Sequence, residues 1–352
     1  MRVIFNLLDA NVGGGQRVAA RIAEALVARG HSVGVAVPAD RPALQWFLEA
    51  GAEAHLVDIV SLRRPWGIRR AAQVFEAYDL VYSHTSVPGA VLGGAAAAIA
   101  RRPHVIHQHA YPHLSRRAVV RALQRSLFAL TVRRARMIAV AQHIADAAVA
   151  FGAPRDRITV IPNGVEVPAQ AAPSAATGAV RIGLLARLDA QKGIDVYLDA
   201  VERVTAPASF ALGTPVPEDD FGRALHERAI ALGVEVVAPA SRAFLATLDI
   251  VAAPSLLEGH PLTLMEAMAL AKPVVAAAIP GVTEMLEGEG AGMLVPPRDA
   301  GALATALDTL VADAALRSRL GARARELVTA RYALPVVHAR IVDLLESAAA
   351  NG

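Results

Sequence analysis

The chain of 352 residues contains no cysteine. This absence excludes disulfide bonds, thiolate metal sites and cysteine nucleophiles. Lysine is almost absent too, because Lys192 and Lys272 are the only two among 35 lysines and arginines. Where arginine is used nearly everywhere else, a retained lysine indicates a site that needs a compact ammonium group.

The chain also lacks a long apolar run. Its longest uncharged stretch, residues 80–100, contains one proline and three glycines, and its apolar part is mostly alanine. A membrane span would need about 20 continuous, strongly apolar residues. We expect a strand, a loop and a buried helix there instead. The first apolar run reads as a strand and stops at Asp9, so we expect no signal peptide and a cytoplasmic protein.

Thirteen short apolar, β-branched runs alternate with helical patterns along the chain. They are Val3–Leu7, Ser32–Val37, Ala54–Asp58, Leu80–Ser83, Val105–His109, Met137–Ala141, Thr159–Ile161, Val180–Leu185, Phe210–Leu212, Val234–Val237, Ile250–Ala253, Pro273–Ala276 and Met293–Val295. Continuous apolar strands separated by helices are typical of parallel sheets covered on both faces. The fold class predicted is α/β, with doubly wound, Rossmann-like sheets.

A stretch rich in Pro, Ala, Gly and Ser, residues 162–179, interrupts this alternation and suits a linker between domains. We therefore predict a first domain over 1–165, a linker over 166–179, a second domain over 180–325 and C-terminal helices over 326–352. Ligands of open α/β sheets bind at the carboxyl ends of the strands, where helix N-termini favour anions. Two such domains predict a large phosphate-bearing ligand in a cleft between them.

Glycines precede the first predicted helix. Gly13, Gly14 and Gly15 stand just before Gln16, where they would let backbone amides approach a phosphate. The spacing is not G-x-G-x-x-G, so the dinucleotide fingerprint is absent. A flexible loop without function explains the glycines about equally well.

Two cations follow the first strand of the second domain. Arg187 and Lys192 lie in a strand-to-helix loop that ends at Gly193. Paired cations there can hold a diphosphate and stabilise it as a leaving group. The alternative is a pair of solvated loop charges.

Two glutamates flank a predicted helix N-terminus. Glu258 precedes Pro261, which we place as the first helical residue, and Glu266 follows within the helix. The first-turn amides of Leu262 and Thr263 would be free to bind an anion. In one continuous helix the glutamates would stand about 12 Å apart, more than a glycosidase pair requires. We interpret them as holding different parts of one long ligand, unless Glu266 is an ordinary exposed residue.

Histidines end a strand of the first domain. His107 and His109 form an H-x-H pair, with His113 nearby. Such a pair can bind metal, but no third ligand or general base is identified. His109 as a substrate contact and a structural role for these histidines are the other hypotheses.

Together these motifs resemble the retaining GT-B glycosyltransferases of family 4 over nearly the whole chain. The segments that carry the resemblance are GGGQRVAARIAEALVARGHSVGV, RRPHVIHQHA, RITVIPNGVEV, GLLARLDAQKGIDVYLDAV, EGHPLTLMEAMALAKPVVA and IPGVTEMLEGEGAGMLVPPRD. The resemblance implies transfer of a sugar, a hexosyl or related group, from a nucleotide-diphosphate donor with retention of configuration. The first domain would be the acceptor side, and the C-terminal helices would cross back to it.

The resemblance also implies roles for the residues. The diphosphate-binding residues would be Gly13, Gly14, Arg187, Lys192, Leu262 and Thr263, with Glu266 on the ribose and His109 and Glu258 as the catalytic residues at the donor sugar. No metal and no other cofactor are expected, since Arg187 and Lys192 take the place of a metal ion. The donor would be a UDP- or GDP-sugar, and UDP is favoured by its frequency in the family.

The chain departs from the family pattern at several places. These are the loop at Ala211–Pro215, the base-binding loop at Val237–Ala240, His260 where phenylalanine is common, and Gln16 where glutamate is common. They affect the expected nucleobase and donor sugar rather than the fold.

Residues 101–136 carry nine arginines and no acidic residue, although the net charge is only +3. From Arg116 to Arg136 the arginines alternate with apolar residues as in a basic amphipathic helix. One hypothesis is peripheral docking on an anionic membrane at its inner face, which would suit a lipid-linked or envelope acceptor. The other is a solvated basic face. A small molecule, a glycan and a lipid-linked molecule all stay open as the acceptor. No nucleic acid is expected, because no aromatic stacking platform lies among these arginines.

Four other functions compete with glycosyl transfer. A nucleotide-sugar 2-epimerase would convert a donor without an acceptor. An NAD-dependent dehydrogenase lacks support, since no acidic residue ends the strand Ser32–Val37. A non-catalytic sugar-nucleotide sensor would not need Glu258, Glu266, Arg187 and Lys192 together. A metal-dependent hydrolase would use His107 and His109 as metal ligands.

Overall fold

The computed structural model describes residues 1–8, 11, 13–59, 65–84, 87–112, 117–171, 179–217, 219–238 and 242–351. Two compact units divide the chain. One comprises residues 1–163 together with 337–352, and the other comprises residues 164–336. Each is built around one parallel sheet. The sequence prediction of two doubly wound, Rossmann-like α/β domains is confirmed.

The first unit contains a seven-stranded sheet in the order β3-β2-β1-β4-β5-β6-β7. Every pairing in it is parallel. Its strands are β1 (Arg2–Asn6), β2 (Ser32–Val37), β3 (Glu53–Leu56), β4 (Leu80–His84), β5 (His104–Gln108), β6 (Arg136–Ala139) and β7 (Ile158–Val160). The central strands β4 and β5 are buried along their whole length, as helix-covered parallel strands must be.

Helices separate these strands in sequence. They are α1 (Gly14–Ala28), α2 (Leu44–Glu49), α3 (Pro65–Phe75), α4 (Val87–Ile99), α5 (Ala118–Val132) and α6 (Gln142–Ala150). In α1 the side chains of Val18, Ile22 and Leu26 are buried, as the helical spacing predicts. Gly30 then ends the helix with φ +81°, in the left-handed conformation that favours glycine after a helix.

The second unit contains a six-stranded parallel sheet in the order β10-β9-β8-β11-β12-β13. Its strands are β8 (Val180–Leu185), β9 (Ala208–Gly213), β10 (Glu235–Val237), β11 (Ile250–Ala253), β12 (Val274–Ala277) and β13 (Met293–Val295). Its helices are α7 (Ile194–Val201), α8 (Asp220–Ala231), α9 (Arg242–Ala246), α10 (Leu262–Ala269), α11 (Pro280–Leu286), α12 (Ala300–Ala312) and α13 (Ala314–Arg331).

The last helix, α14 (Leu334–Ala350), lies with the first unit from Val337 onwards. An ion pair between Arg29 and Asp343 at 2.8 Å and a hydrogen bond between His31 and Glu346 at 2.9 Å link it there. Its Leu345 is fully buried. Burial of such side chains stabilises more than exposed ion pairs do, so packing rather than charge holds this helix.

Each sheet has one point where the chain stops adding strands on one side and continues on the other side. In the first sheet the chain runs from β1 to β2 and β3 and then returns to place β4 on the other side of β1. In the second sheet the chain runs from β8 to β9 and β10 and then returns to place β11 on the other side of β8. The loops that leave adjacent strands at such a point diverge, which opens a crevice at their carboxyl ends where ligands bind.

The thirteen strands expected from the sequence are all present, each within two residues of its predicted bounds. The uncharged stretch 80–100 forms β4 and the largely buried helix α4. Among the described residues, no helix combines the length and the apolar character that crossing a membrane would take.

Candidate functional site

The Lys192 ammonium and the Glu258 carboxylate meet at the reversal point of the second sheet. Their Nζ and Oε1 atoms are 2.7 Å apart. The side chains are only 24% and 14% exposed. Partial burial lowers the effective dielectric constant around the pair, so the attraction exceeds that of a surface ion pair.

Adjacent strands bring these two side chains together. Lys192 follows β8 at the end of a 3₁₀ turn (Ala190–Lys192), and Glu258 follows β11. The Leu256 N–H donates to the Gln191 carbonyl oxygen at 2.7 Å, which ties one loop to the other. The carboxyl ends of neighbouring parallel strands lie at the same edge, so residues 66 positions apart in sequence become partners.

Gly193 allows the two loops to approach each other closely. Its φ is +62°, and a Cβ atom built on it would lie 2.1 Å from the carbonyl oxygen of Pro254. Any other residue would carry both the strain of the left-handed conformation and a collision with the backbone. Glycine is therefore required beside Lys192.

Arg187 lies outside the contact between Lys192 and Glu258. It is exposed and pairs with Asp189 at 3.2 Å. Asp189 also accepts a hydrogen bond from the Gln191 N–H at 3.0 Å and so caps the 3₁₀ turn. The structure thus places both predicted cations in one loop but brings only Lys192 to Glu258.

Helix α10 begins four residues after Glu258 in sequence. Pro261 is its N-cap with φ −74°, and Leu262 is its first residue. The prediction that Pro261 is the first helical residue is therefore wrong by one position, because its ψ of 110° is extended rather than helical. The amides of Leu262 and Thr263 belong to the first turn, and the N-cap residue Pro261 supplies no side-chain capping bond to them.

The segment from Glu258 to α10 rests on Gly281, in the first turn of α11. A Cβ atom there would lie 2.6 Å from the carbonyl oxygens of both Glu258 and Gly259. Further along α10, Glu266 is half-buried rather than fully exposed. The helix starts only at Leu262, so the two glutamates do not share one continuous helix.

In the first unit, Gly13 is the N-cap of α1 and Gly14 its first residue. No side chain caps this helix among the described residues either. The helix follows β1, which borders the reversal point of its sheet. The predicted glycine loop therefore ends at a helix N-terminus, the end of a helix that favours an anion.

Three histidines gather at the carboxyl ends of β4 and β5. His84 ends β4 and is paired in register with His107 of β5, while His109 lies one residue beyond that strand. His84 Nδ1 lies 3.0 Å from His109 Nε2, and His84 Nε2 lies 3.3 Å from His107 Nδ1. The Tyr82 hydroxyl lies 2.7 Å from the same His107 Nδ1.

Burial keeps these imidazoles neutral. It lowers the pKa of His84 and of His107 well below the usual value, and the neighbouring His109 lowers both further. Burial also lowers the pKa of His109 to about 4, and a hydrogen bond with Asn163 opposes that shift. Near pH 7 the cluster therefore carries no charge, since desolvation disfavours the protonated form.

The same cluster is where the described residues could hold a metal ion. One nitrogen from each histidine lies within 4.8 Å of the others. These nitrogens pair with one another, however, and His84 directs its two nitrogens at different neighbours. His113, which the sequence placed near this pair, lies outside the described residues.

Two other predicted segments also fall partly outside the described residues. They are the base-binding loop, at Pro239 and Ala240, and the linker, at residues 172–178.

Sequence reasoning missed His84, Tyr82 and Asn163. The available signal was that a histidine stands at the end of one buried strand, His84, and just past the end of the next, His109. Parallel pairing of β4 with β5 would then place those side chains at one edge. Asn163 belongs to the P-N-G-V segment, whose spacing alone gives no distance to His109.

Comparisons with known proteins fit this arrangement. Residues 12–167 match the family model described as Glycosyltransferase Family 4, and residues 179–313 match the model described as Glycosyl transferases group 1. The chain belongs to the family 4 glycosyltransferases. The resemblance noted in the sequence is therefore confirmed.

Among the relatives of this family 4 chain is the D-inositol 3-phosphate glycosyltransferase of Xylanimonas cellulosilytica. It is 33% identical over 199 residues, which are 50% of this chain and 48% of the relative. The phosphatidyl-myo-inositol mannosyltransferase of Mycobacterium leprae is 33% identical over 204 residues, 54% of each chain. The chain thus spans about half the length of the curated relatives it matches.

A solved structure extends the likeness to the whole family 4 chain. HepE from Anabaena, crystallised with UDP, has a TM-score of 0.87 at 22% identity over 99% of this chain and 100% of its own. The same protein has also been solved with UDP-glucose. This likeness establishes the GT-B fold.

A first prediction concerns Gly193. Gly193→Ala should lower the free energy of unfolding of the second unit by well over the roughly 1–2 kcal/mol of left-handed strain alone, because the Cβ atom also meets Pro254. Gly233 is the matched control, since its φ is +71° and nothing lies within 4 Å of its Cβ position. Urea unfolding of both variants would measure the difference. Equal losses would contradict the close approach described.

A second prediction concerns acid. The folded-state pKa values of His104 and His109 are lowered to about 4 by burial, so the unfolded chain binds more protons below its own histidine pKa of about 6.5. The free energy of unfolding should have its full value above that pH and should fall as the pH drops towards 4, by up to about 3 kcal/mol for each such histidine. Urea unfolding across this range measures the decline. His104→Gln should reduce the size of this decline, and a flat profile would contradict the lowered pKa values of these buried histidines.

Proposed function

We propose that the protein transfers a sugar from a nucleotide-diphosphate donor to an acceptor, with retention of anomeric configuration and without a metal ion. The observation that carries the proposal is the Lys192–Glu258 pair, which precedes the N-terminus of α10 at the reversal point of the second sheet. That edge combines a cation, helix amides and a carboxylate within two short loops. Such a set suits a ligand with both phosphate and sugar parts.

The diphosphate is assigned to the cationic side of this site. Lys192 supplies a compact charge, Arg187 supplies a long and exposed one, and the Leu262 and Thr263 amides add donors at the positive end of a helix. Negative charge grows on the diphosphate as the sugar departs, so these groups stabilise the transition state more than the ground state. They supply the positive charge that a metal ion supplies in other transferases.

Donor binding changes the partner of Lys192. In the structure its ammonium is engaged by Glu258 at 2.7 Å. A phosphate oxygen that takes over the ammonium leaves the Glu258 carboxylate for the sugar. A carboxylate there stabilises the positive charge that develops at the anomeric carbon.

The remaining site residues are assigned by the family resemblance. Glu266, half-buried on the second turn of α10, binds the nucleotide ribose. Gly13 and Gly14 contribute the α1 amides to the diphosphate, and His109 contacts the transferred sugar. We favour UDP as the nucleotide, supported by the HepE structures with UDP and UDP-glucose.

A third prediction tests the donor site by ligand stabilisation. UDP, GDP, ADP and NAD are compared in thermal unfolding of the wild type and of the Arg187→Ala/Lys192→Ala double variant. A ligand at 100 times its Kd adds about 2.7 kcal/mol, so one nucleoside diphosphate, expected to be UDP, should raise the wild-type Tm by several degrees. The double variant should lose most of that rise.

The matched control is Arg203→Ala, since Arg203 is exposed just past α7 in the same unit. It removes one positive charge without touching the proposed site and should keep the full response. Stabilisation by NAD alone, or equal responses in all three proteins, would overturn the assignment. Conversion of a UDP-sugar to its 2-epimer without acceptor would instead favour the epimerase alternative.

The acceptor side offers a surface for a membrane. The N-terminal half of α5 projects into solvent, with Val119 83% and Leu123 58% exposed. Arg121 and Arg125 are exposed on the same turns, and no acidic residue lies between residues 101 and 136. Apolar side chains among cations are typical of helices that lie on anionic bilayers. We propose docking at the inner face of the membrane and a lipid-linked acceptor. Arg116, which the sequence hypothesis included, lies outside the described residues.

A fourth prediction tests this surface with vesicles. The protein should sediment with vesicles containing phosphatidylglycerol but not with phosphatidylcholine alone, and about 0.5 M salt should release it. Leu123→Ser should weaken binding severalfold. Ile230→Ser is the control, since Ile230 is equally exposed at 58% on α8 of the other unit. Sedimentation that ignores lipid charge, or equal loss in both variants, would contradict docking through α5.

A further inference from the structure

His260 stands two residues after Glu258, and its ring is buried within the second unit. The residue is only 7% exposed. Its ring meets that of Tyr332 edge to face, with the centroids 5.1 Å apart and the planes inclined at 64°. This is one of the arrangements that aromatic pairs prefer. The side chain at this departure from the family pattern therefore packs against the interior of its own unit.

Tyr332 is a firmly held partner for that ring. It is 7% exposed and belongs to the same hydrophobic core as Leu264 and Met268 of α10. Its N–H donates to the Val328 carbonyl oxygen at 2.8 Å, and its own carbonyl oxygen accepts from the Val165 N–H at 2.8 Å. Both the side chain and the backbone of Tyr332 are thus fixed, so its ring offers a rigid surface.

The segment that carries Glu258 is supported at a second place. The backbone carbonyl groups of Glu258 and Gly259 lie so close to Gly281 that a Cβ atom there would come within 2.6 Å of both oxygens. The proline ring of Pro261 fixes its own φ, observed at −74°, directly after His260. The backbone that follows the glutamate is therefore restrained by α11 and by the buried ring.

These supports differ in kind from the ion pair with Lys192. In the structure the ammonium holds the Glu258 carboxylate at 2.7 Å. In the proposed function a phosphate oxygen of the donor takes over the ammonium, so the ion pair no longer positions the carboxylate during transfer. The ring contact of His260 and the backbone contact at Gly281 involve no ionised group, and an arriving phosphate does not compete for them.

We propose that His260 is a positioning residue, whose ring anchors the segment bearing Glu258 on Tyr332. The anchor keeps the carboxylate in place for the donor sugar when the diphosphate engages Lys192. The benefit to transfer rests on the proposed function, whereas the anchor itself does not. Accurate placement matters because a shift of about 1 Å in a reacting geometry can cost a hundredfold in rate.

The first arm of the test needs neither donor nor acceptor. Hydrogen–deuterium exchange of the amides in residues 257–263 is measured by mass spectrometry. His260→Ala should speed this exchange about tenfold, because the segment loses its ring contact. His260→Phe keeps a ring and should exchange nearly as the wild type does, and so should Lys192→Ala, which removes only the ion pair. Unchanged exchange in His260→Ala, or equal acceleration in Lys192→Ala, would overturn the anchor.

The matched control is Leu307→Ala, since Leu307 is fully buried on α12 in the other core cluster of the same unit. It should lower the Tm at least as much as His260→Ala and leave exchange in residues 257–263 unchanged. Equal acceleration in this control would show general loosening and overturn the anchor. His260→Leu keeps most of the buried volume if the alanine variant does not fold. It should still speed exchange severalfold, and a wild-type rate in it would overturn the role of the ring.

The second arm measures chemistry as the UDP released from UDP-glucose, and it separates this proposal from the proposed function. His260→Ala should lower kcat about tenfold with little change in KM or in stabilisation by UDP, because a misplaced carboxylate weakens the transition state more than donor binding. His260→Phe should restore most of the rate. A loss in His260→Phe as large as in His260→Ala, or equal kcat in all three proteins, would overturn the positioning role. If exchange shows the anchor but the wild type neither binds nor cleaves a nucleotide sugar, the proposed function fails and the anchor stands.

Discussion

Parallel pairing is the constraint on which both sites depend. In a parallel sheet all carboxyl ends lie at one edge, so the loops that leave two adjacent strands begin side by side there. In the second unit this places Lys192, which follows β8, against Glu258, which follows β11. In the first unit it places His84 beside His107, because β4 and β5 pair in register. Neither contact follows from local sequence alone.

The two edges differ in their electrostatics. The second unit offers an ammonium and helix amides, which attract anions. The first unit offers buried imidazoles that stay neutral because protonation would leave a desolvated charge. Neutral rings can donate and accept hydrogen bonds, so they suit contacts with hydroxyl groups, whereas the cationic edge suits phosphate. In the proposed function the cationic edge is accordingly assigned to the diphosphate and the neutral edge to hydroxyl groups.

The sequence predicted the strands well because parallel strands buried on both faces are continuous apolar runs. It also predicted the end of α1, because Gly30 adopts the left-handed conformation that favours glycine after a helix. Its motifs also led to the correct family. It failed where side chains from separate strands meet. The pairing of Lys192 with Glu258 and the contact of His84 with His107 depend on strand order and register, which no local pattern encodes. Pro261 was misplaced by one residue because proline suits both the N-cap and the first turn.

The central claim is that the diphosphate of the donor occupies the cationic edge of the second sheet. A crystal structure of the protein with the nucleoside diphosphate that stabilises it most would test this directly. We expect phosphate oxygens within hydrogen-bond distance of Lys192 Nζ and of the first amides of α10, with the Glu258 carboxylate no longer on Lys192. A diphosphate bound elsewhere, with the Lys192–Glu258 pair intact, would contradict it.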